Sequence, residues 1–247
     1  MTASPVLEAE HLDVSFGGIR AVHDVSLSVA QGEILAIIGQ NGAGKSTFLN
    51  MCTGWLRPEQ GEIRLAGRSI VGLKPRAITR LGVARAFQHP QLFPQASVID
   101  HLRFALAAAR PGFWNPFRPL CSPRSAREIL DLLSFFALEA LADLPVRAVP
   151  EGARKLLDVA MALALRPRLI LLDEPTSGVS SAEKLGLMTK LIAALRARGV
   201  SAVFVEHDMD VVARFADRVA AWADGEVFRL GHPERVLADP EVKARVL

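Results

Sequence analysis

The stretch that decides the fold runs from Glu33 to Trp55 and reads EILAIIGQNGAGKSTFLNMCTGW. Its first part, Glu33 to Ile38, is a compact apolar run that predicts a buried strand. Its last part, which begins at Lys45, predicts a helix, and a glycine-rich loop lies between the two. A strand, a glycine-rich loop and a helix in this order form the context in which a loop wraps the phosphates of a nucleotide.

The loop itself, GQNGAGKST at residues 39–47, fits the pattern G-x-x-x-x-G-K-[ST]. Glycines let backbone N–H groups approach anionic oxygens at a helix N-terminus, because no Cβ stands in the way. Lys45 reaches the β- and γ-phosphates, and the Ser46 hydroxyl is placed for Mg²⁺. The alternative is a glycine turn with an incidental lysine, which the flanking strand and helix disfavour. The predicted nucleotide-binding set is Gly39, Asn41, Gly42, Ala43, Gly44, Lys45, Ser46 and Thr47.

Working outward, the first 35 or so residues alternate apolar and polar in short runs and predict antiparallel β structure. Two more buried strands are predicted at Arg168 to Leu172 and at Ala202 to Val205. A helix from about Ser181 to Arg198 separates them, with Leu187 and Leu191 on its apolar face. Strands that alternate with helices indicate a parallel α/β sheet.

Between residues 90 and 166 helical periodicity replaces the strand signal, so we expect a helical subdomain inserted into a single domain spanning 1–247. Residues 110–124, RPGFWNPFRPLCSPR, predict a loop, since the prolines disfavour a regular helix and a central strand. Two interpretations of this loop remain open. It is either an ordinary connection with packed aromatics, or a contact surface for a partner or a membrane interface.

Composition narrows the class of protein. Half of the 247 residues are apolar and 22% are charged, which is typical of globular proteins and excludes disordered and fibrous chains. A net charge of +3 gives little support to nucleic-acid binding, and we expect none. Two cysteines, Cys52 and Cys121, favour a reducing compartment over a disulfide framework. The early acidic residues and short apolar runs predict neither a signal peptide nor a membrane span.

Charged side chains follow both of the later predicted strands. In LILLDE, residues 169–174, Asp173 and Glu174 end a buried strand at the edge where α/β sheets bind ligands. Asp173 is suited to hold Mg²⁺ with its water, and Glu174 to polarise an attacking water. His207 follows the strand AVFV and reaches the same edge if the sheet is parallel. Taken separately, each segment is better explained as an ordinary acidic or solvated turn, and only the phosphate loop beside them favours a catalytic role.

With these motifs in this order, the chain resembles the nucleotide-binding subunit of ABC transporters over essentially its whole length. The resemblance implies a P-loop NTPase (RecA-like) core with an antiparallel β subdomain and an inserted helical subdomain. It implies that Phe16 stacks on adenine, although a core-facing strand residue is the alternative. It implies that Gln88 senses the γ-phosphate and Mg²⁺. In this family His207 would contact the γ-phosphate, and Glu174 would be the catalytic carboxylate of an ATPase.

Five segments narrow the resemblance to the cassettes of branched-chain amino acid and related urea or amide importers: FGGIRAV, NGAGKST, FQHPQLFP, VEHDM and ADPEV, which begin at residues 16, 41, 87, 205 and 238. Such a cassette implies ATP and Mg²⁺ as ligands and a second, identical or paralogous cassette. It also implies transmembrane permease subunits, indirect dependence on a periplasmic solute-binding protein, and a peripheral place on the cytoplasmic face of the inner membrane. The solute does not follow, because these subunits never touch it.

Two departures from the family pattern stand out. The signature, usually L-S-G-G-Q or L-S-Y-G-Q, is here VPEGA at residues 149–153, and only Gly152 is retained. A helix starting near Gly152 would still offer its N-terminal dipole to the γ-phosphate on a partner cassette, worth about 0.3–1 kcal/mol, while Glu151 opposes it. We therefore expect weakened function there. The second departure is Ser180, where aspartate is usual, and Ser180 with Glu183 predicts a capping box.

Two other functions compete with the importer subunit. One is a soluble ABC ATPase of repair or translation, which is disfavoured because those proteins usually carry two cassettes or long insertions. The other is a regulatory ATP-binding module without useful turnover, which the altered signature suggests. Intact Glu174 and His207 argue against the second alternative.

Overall fold

The antiparallel sheet is built mainly from the start of the chain. The computed structural model describes residues 5–86, 90–110 and 123–246. Within them, four strands form a sheet in the order β2-β1-β4-β5: β1 Leu7–Phe16, β2 Ile19–Val29, β4 Gln60–Leu65 and β5 Arg68–Ser69. The predicted antiparallel opening is confirmed, because β1 pairs with β2 from Leu7 opposite Val29 to Phe16 opposite Ile19. The pair β4 and β5 was not predicted.

A second, six-stranded sheet forms the centre of the molecule in the order β10-β9-β3-β8-β7-β6. Its strands are β3 Ile34–Gly39, β6 Val83–Ala86, β7 Leu169–Asp173, β8 Ser201–Val205, β9 Arg218–Ala223 and β10 Glu226–Gly231. All neighbours are parallel except β10, which runs antiparallel to β9. The three predicted buried strands correspond to β3, β7 and β8, whereas β6, β9 and β10 were not predicted.

The parallel order fixes which residues meet at one edge of this sheet. Gly39 ends β3, Val205 ends β8, Asp173 ends β7 and Ala86 ends β6, and these four strands are consecutive in the sheet. Parallel strands place their carboxyl ends together, and ligands of open α/β sheets bind at that edge. The loops that follow these four strands therefore face a common site.

The helices of the described residues are α1 Lys45–Cys52, α2 Pro75–Leu81, α3 Val98–Ala108, α4 Pro123–Phe136, α5 Glu151–Ala164, α6 Ser181–Ala197, α7 Met209–Phe215, α8 Pro233–Ala238 and α9 Pro240–Arg245, with 3₁₀ turns at Glu139–Leu141 and Val146–Ala148. The helices α3, α4 and α5 account for the periodicity between residues 90 and 166. Of the predicted loop 110–124, residues 111–122 lie outside the described ranges. The prediction is wrong for Pro123 and Arg124, which begin α4, because proline fits the first helical turn.

Apolar side chains cover both faces of the central sheet. On β3, Ile34, Ala36 and Ile38 belong to a core that includes the helices α3 to α7. The intervening Leu35 and Ile37 belong to a second core shared with the antiparallel sheet and α1. A strand buried on both faces reads as a continuous apolar run, which is why β3 was recognisable from sequence. In the described ranges, none of the helices has the length and apolar character that crossing a bilayer requires.

Candidate active site

The phosphate loop joins β3 directly to α1, and two of its glycines are required by close packing. Gly44 has φ +104°, and a Cβ on it would lie 2.0 Å from the carbonyl oxygen of Ala21 on β2. A Cβ on Gly39 would lie 2.2 Å from the carbonyl oxygen of Trp222 on β9. Any larger residue would push the loop off its two supporting strands. The glycine spacing read from the sequence thus corresponds to two contacts between distant segments.

Lys45 lies inside the loop, with 6% of its surface exposed. Its Nζ donates hydrogen bonds to the carbonyl oxygens of Gly39, at 2.6 Å, and Gln40, at 2.7 Å. Burial lowers the pKa of Lys45, and the nearby carboxylates of Glu174 and Asp173 oppose that lowering. The loop therefore holds a cation in the electrostatic field of the two carboxylates at the carboxyl end of β7.

The rest of the loop is accessible from one side. Asn41, Gly42 and Ser46 are exposed, while Ala43 and Thr47 are half-buried. A cleft of about 520 Å³ lies against residues 40–43, and the start of β2, the turn between β9 and β10, and Arg245 of α9 line its other sides. This volume lies within the range of small-ligand sites.

Asp173 is oriented by an arginine that the sequence analysis missed. Nη2 of Arg85, on β6, donates to Oδ2 of Asp173 at 2.8 Å, and both side chains are largely buried. Nη1 of the same arginine donates to Oδ1 of Asn50 on α1 at 2.6 Å. Arg85 therefore connects the strand that carries Asp173 to the helix that follows the phosphate loop. The one available signal was a charge inside a short apolar segment, VARA.

Glu174 and His207 come together from adjacent strands. Nε2 of His207 lies 3.2 Å from Oε1 of Glu174, and both side chains are partly exposed. The backbone of Glu174 is left-handed, with φ +48°, and its N–H donates to the carbonyl oxygen of Val205 at 3.1 Å. The predicted convergence of these two residues at one edge of the sheet is what the structure shows.

A buried carboxylate, Glu206, connects the two loops that carry Glu174 and His207. It is 3% exposed, and its Oε1 accepts hydrogen bonds from the backbone N–H of Thr176 (3.0 Å) and the Thr176 hydroxyl (2.6 Å). Its Oε2 accepts from the backbone N–H of His207 at 3.1 Å. The sequence analysis missed Glu206, although an acid directly after five buried strand residues was a usable signal.

The remaining predicted residues lie apart from this group or outside the described ranges. Phe16 ends β1 and is 51% exposed, so it does not face the core. Gln88 lies outside the described residues, two positions after β6 ends. Gly152 lies in the first turn of α5. The prediction of a capping box at Ser180 is wrong. The Ser180 hydroxyl bonds the Glu183 carboxylate instead of accepting a hydrogen bond from a backbone N–H of α6.

The residues at this edge fit Mg²⁺ by chemical type. Mg²⁺ prefers hydroxyl and carboxylate oxygens, and it usually retains waters and phosphate oxygens as its other ligands. The exposed Ser46 hydroxyl in the first turn of α1 and the Asp173 carboxylate supply such donors. These two side chains would hold the ion against the phosphates of a nucleotide.

A phosphate loop at the carboxyl edge of a parallel sheet, facing two carboxylates and a histidine, defines a phosphate-loop nucleoside triphosphatase. The ABC transporter family profile matches residues 22–177, so this chain belongs to the ABC transporter family. Within that family it is an ATP-binding cassette, and its activity is ATP hydrolysis.

Relatives agree on the cassette and differ in the solute they name. The chain is 34% identical over 245 residues to the high-affinity branched-chain amino acid transport ATP-binding protein BraF of Pseudomonas aeruginosa, covering 96% of each. It is 37% identical over 242 residues to the cobalt import ATP-binding protein CbiO of Rhodobacter capsulatus, covering 96% of this chain and 82% of the relative.

Solved structures share the whole fold. An ATP-binding cassette of an ABC transporter in its ADP conformation superposes with a TM-score of 0.87 at 28% identity, covering 98% of both chains. A dimeric cassette in a post-hydrolysis state with ADP and Pi superposes with a TM-score of 0.77 at 25% identity, covering 92% of this chain and 98% of the other.

Proposed function

We propose that this chain powers an importer of branched-chain amino acids or a related small polar solute. It binds MgATP, pairs with a second cassette, and converts ATP binding and hydrolysis into movement of permease subunits at the cytoplasmic face of the membrane. The observation that carries the hydrolytic part is the meeting of Glu174 and His207 beside the phosphate loop. The solute class is supported by the nearly full-length match to a branched-chain amino acid relative.

In the proposed hydrolysis, Glu174 accepts a hydrogen bond from the attacking water and orients it towards the γ-phosphate. His207 and Lys45 place positive or hydrogen-bonding groups where charge develops on the transferring phosphoryl group. Asp173, held by Arg85, and Ser46 supply oxygen ligands for Mg²⁺. When bound, Mg²⁺ neutralises charge on the β- and γ-phosphate oxygens. Phe16 and Gln88 keep the roles that the family resemblance implies, stacking on adenine and sensing the γ-phosphate.

The second cassette would meet this chain at the start of α5. Pro150 is the N-cap of α5, and its side chain cannot accept a hydrogen bond from the helix. The N-terminal N–H groups around Gly152 therefore remain as donors for the γ-phosphate bound by a partner. Glu151 lies in the same turn and opposes an anion. The site that uses this signature should consequently bind its nucleotide more weakly.

A groove beside α5 is the proposed contact for a permease. Its volume is about 470 Å³, and its lining residues are Pro90, Leu92, Pro94, Val146, Arg147, Glu151 and Arg154. Next to it Phe93 is 64% exposed and packs edge-on against Phe104. Exposed aromatic and arginine side chains favour protein contacts. The groove adjoins the first turn of α5, because Glu151 lines it. A permease segment bound in the groove would therefore be affected when nucleotide binds at the interface between the two cassettes.

One substitution tests the hydrolytic role. Glu174→Gln removes the carboxylate and should trap an ATP-bound dimer, detected as a shift to twice the mass in ATP-containing gel filtration. Glu59→Gln changes an exposed glutamate outside the site and should hydrolyse ATP like the unchanged protein. Turnover unaltered by Glu174→Gln would remove Glu174 from this role.

The importer part is tested by gentle purification of the tagged chain from native membranes, followed by mass spectrometry. Co-purifying permease subunits would support transport, and a second, different cassette would supply the usual signature. A chain recovered without a membrane partner would favour the soluble ABC ATPase. ATP hydrolysis by the purified complex that is unaffected by Lys45→Ala would favour the regulatory module, which the altered signature suggests.

A further inference from the structure

A buried lysine on α5 contacts the loop that follows β7. This helix is called the signature helix below, because it begins within the signature segment 149–153. Lys155 lies in the second turn of α5 and is 5% exposed. Its Nζ donates to Oγ of Ser177 at 2.9 Å and to the carbonyl oxygen of Glu174 at 3.3 Å. The loop of residues 174–180, called the catalytic loop below, is therefore bonded to α5 at the residue whose carboxylate faces the phosphate loop.

The backbone of Glu174 needs such support. A non-glycine residue at φ +48° is in the sparsely populated left-handed region, and it persists only where the surroundings hold it. Three contacts do so here. The N–H of Glu174 donates to Val205, and its carbonyl oxygen accepts from the Ser177 N–H at 3.1 Å and from the Lys155 ammonium. The direction of the Glu174 carboxylate follows from this backbone conformation.

Glu151 adds a second contact between α5 and the catalytic loop, one turn before Lys155. Gly178 has φ +71°, and a Cβ on it would lie 2.4 Å from Oε1 of Glu151. The carboxylate therefore rests against the α-carbon of Gly178. Burial lowers the pKa of Lys155, and the carboxylates of Glu151, Glu206 and Glu174 oppose that lowering. The first two turns of α5 thus hold the catalytic loop in place through hydrogen bonds, a packing contact and electrostatic attraction.

We propose that Lys155 is a positioning residue for Glu174, and that with Glu151 it makes the signature helix of this chain control its own catalytic carboxylate. A nucleotide phosphate that binds at the start of α5 changes the position of this helix. Lys155, in the second turn of the helix, transmits that change to Glu174 through its hydrogen bond. The inference rests on the proposed function, which makes Glu174 the hydrolytic residue and the start of α5 the contact for the partner's nucleotide.

The test compares Lys155→Met with the matched control Lys190→Met, because Lys190 is an exposed lysine on α6. Lys155→Met should lower kcat for ATP by roughly 10–100-fold, since small displacements of a catalytic group have effects of this size. The Kd for MgATP should stay within twofold of the unchanged protein, because the phosphate loop is untouched. The urea midpoint should fall modestly, because Ser177 and the Glu174 carbonyl lose a donor and the nearby carboxylates lose a buried cation. Lys190→Met should change none of these quantities.

Ser177→Ala provides a second variant that removes only one acceptor of Lys155 and does not require replacing a buried side chain. It should lower kcat in the same direction by a smaller factor, with the Kd for MgATP unchanged. A kcat within twofold of the unchanged protein in both variants would overturn the proposal. So would a kcat loss accompanied by an equal weakening of MgATP binding, which would indicate general disruption of the fold instead of a positioning role for Lys155.

Glu174→Gln measured in the same assay separates this proposal from the proposed function. If Glu174→Gln retains turnover, the hydrolytic role of Glu174 fails and the positioning role fails with it. If Glu174→Gln is inactive while Lys155→Met and Ser177→Ala hydrolyse ATP normally, only the positioning role fails.

Discussion

Replacing Glu206 with glutamine should loosen both loops of the active site at once. The carboxylate accepts four hydrogen bonds, two from Thr176, one from the His207 N–H and a longer one from the Asp208 N–H, in an environment where it is 3% exposed. Hydrogen bonds to a charged acceptor contribute about 1.5–3 kcal/mol each. Glutamine retains one acceptor oxygen, which can keep the two Thr176 bonds, and it presents an NH₂ group to the N–H groups of His207 and Asp208. The bonds from His207 and Asp208 are therefore lost, and the two from Thr176 weaken.

We expect Glu206→Gln to lower the free energy of unfolding by about 2 kcal/mol, measured by urea denaturation. For a chain of this length that corresponds to a fall in Tm of about 4–8 °C. Glu206→Ala leaves all four donors without this acceptor and should cost about 3–5 kcal/mol. Glu206 bonds the backbone of His207 and of Thr176, which lies two residues after Glu174. Because both loops of the Glu174–His207 contact are affected, kcat for ATP should fall roughly tenfold in Glu206→Gln, with the Kd for MgATP nearly unchanged.

The control is Glu59→Gln, which makes the same chemical change at an exposed glutamate. It should leave the urea midpoint, Tm and kcat unchanged, because surface substitutions of this kind are usually within ±0.5 kcal/mol. If Glu206→Gln matched this control in stability and in kcat, the buried carboxylate would not be what holds the two loops together.

Three further predictions follow from single contacts. Gly44→Ala should abolish MgATP binding in an equilibrium titration while the chain still folds, because its Cβ would clash with Ala21; retained affinity would contradict this. Burial raises the pKa of the Cys52 thiol to about 12, so peptide mapping should find Cys52 unlabelled by thiol reagents until urea unfolds the chain. The Lys184 ammonium lowers the pKa of Asp208 in the folded protein. This pair therefore stabilises the fold fully above pH 3.8, the pKa of Asp208 in the unfolded chain, and its contribution is lost as the pH falls through the lower pKa of the folded protein. Lys184→Met should therefore reduce the acid sensitivity of the urea midpoint below about pH 4, and identical pH curves would count against the pair.

Local pattern sufficed for the strands and loops that are regular or highly constrained. The strands β3, β7 and β8 are buried on both faces and so read as continuous apolar runs. The phosphate loop was recognisable because its glycines and lysine have a characteristic spacing within the short segment 39–47. Strand β6 was missed because it has only four residues, one of them Arg85, and β10 because none of its residues is fully buried. Tertiary pairing holds these weaker strands in place.

The candidate site divides in the same way. Lys45, Asp173, Glu174 and His207 were predictable because each directly follows a predicted strand or lies in the loop after one, and parallel strands end at one edge. The capping box at Ser180 failed because its hydroxyl bonds the Glu183 side chain, a choice that the motif does not determine.

The sequence by itself determined the phosphate loop, the parallel α/β core and the identity of the carboxylates and histidine at its edge. Only the tertiary structure decided what holds them. Arg85 bonds Asp173 across 88 positions, Glu206 bonds Thr176 across 30, and Lys155 bonds Ser177 across 22. The physical reason is that motifs record what each short segment needs, whereas a buried charge takes its partner from whichever segment folding brings beside it.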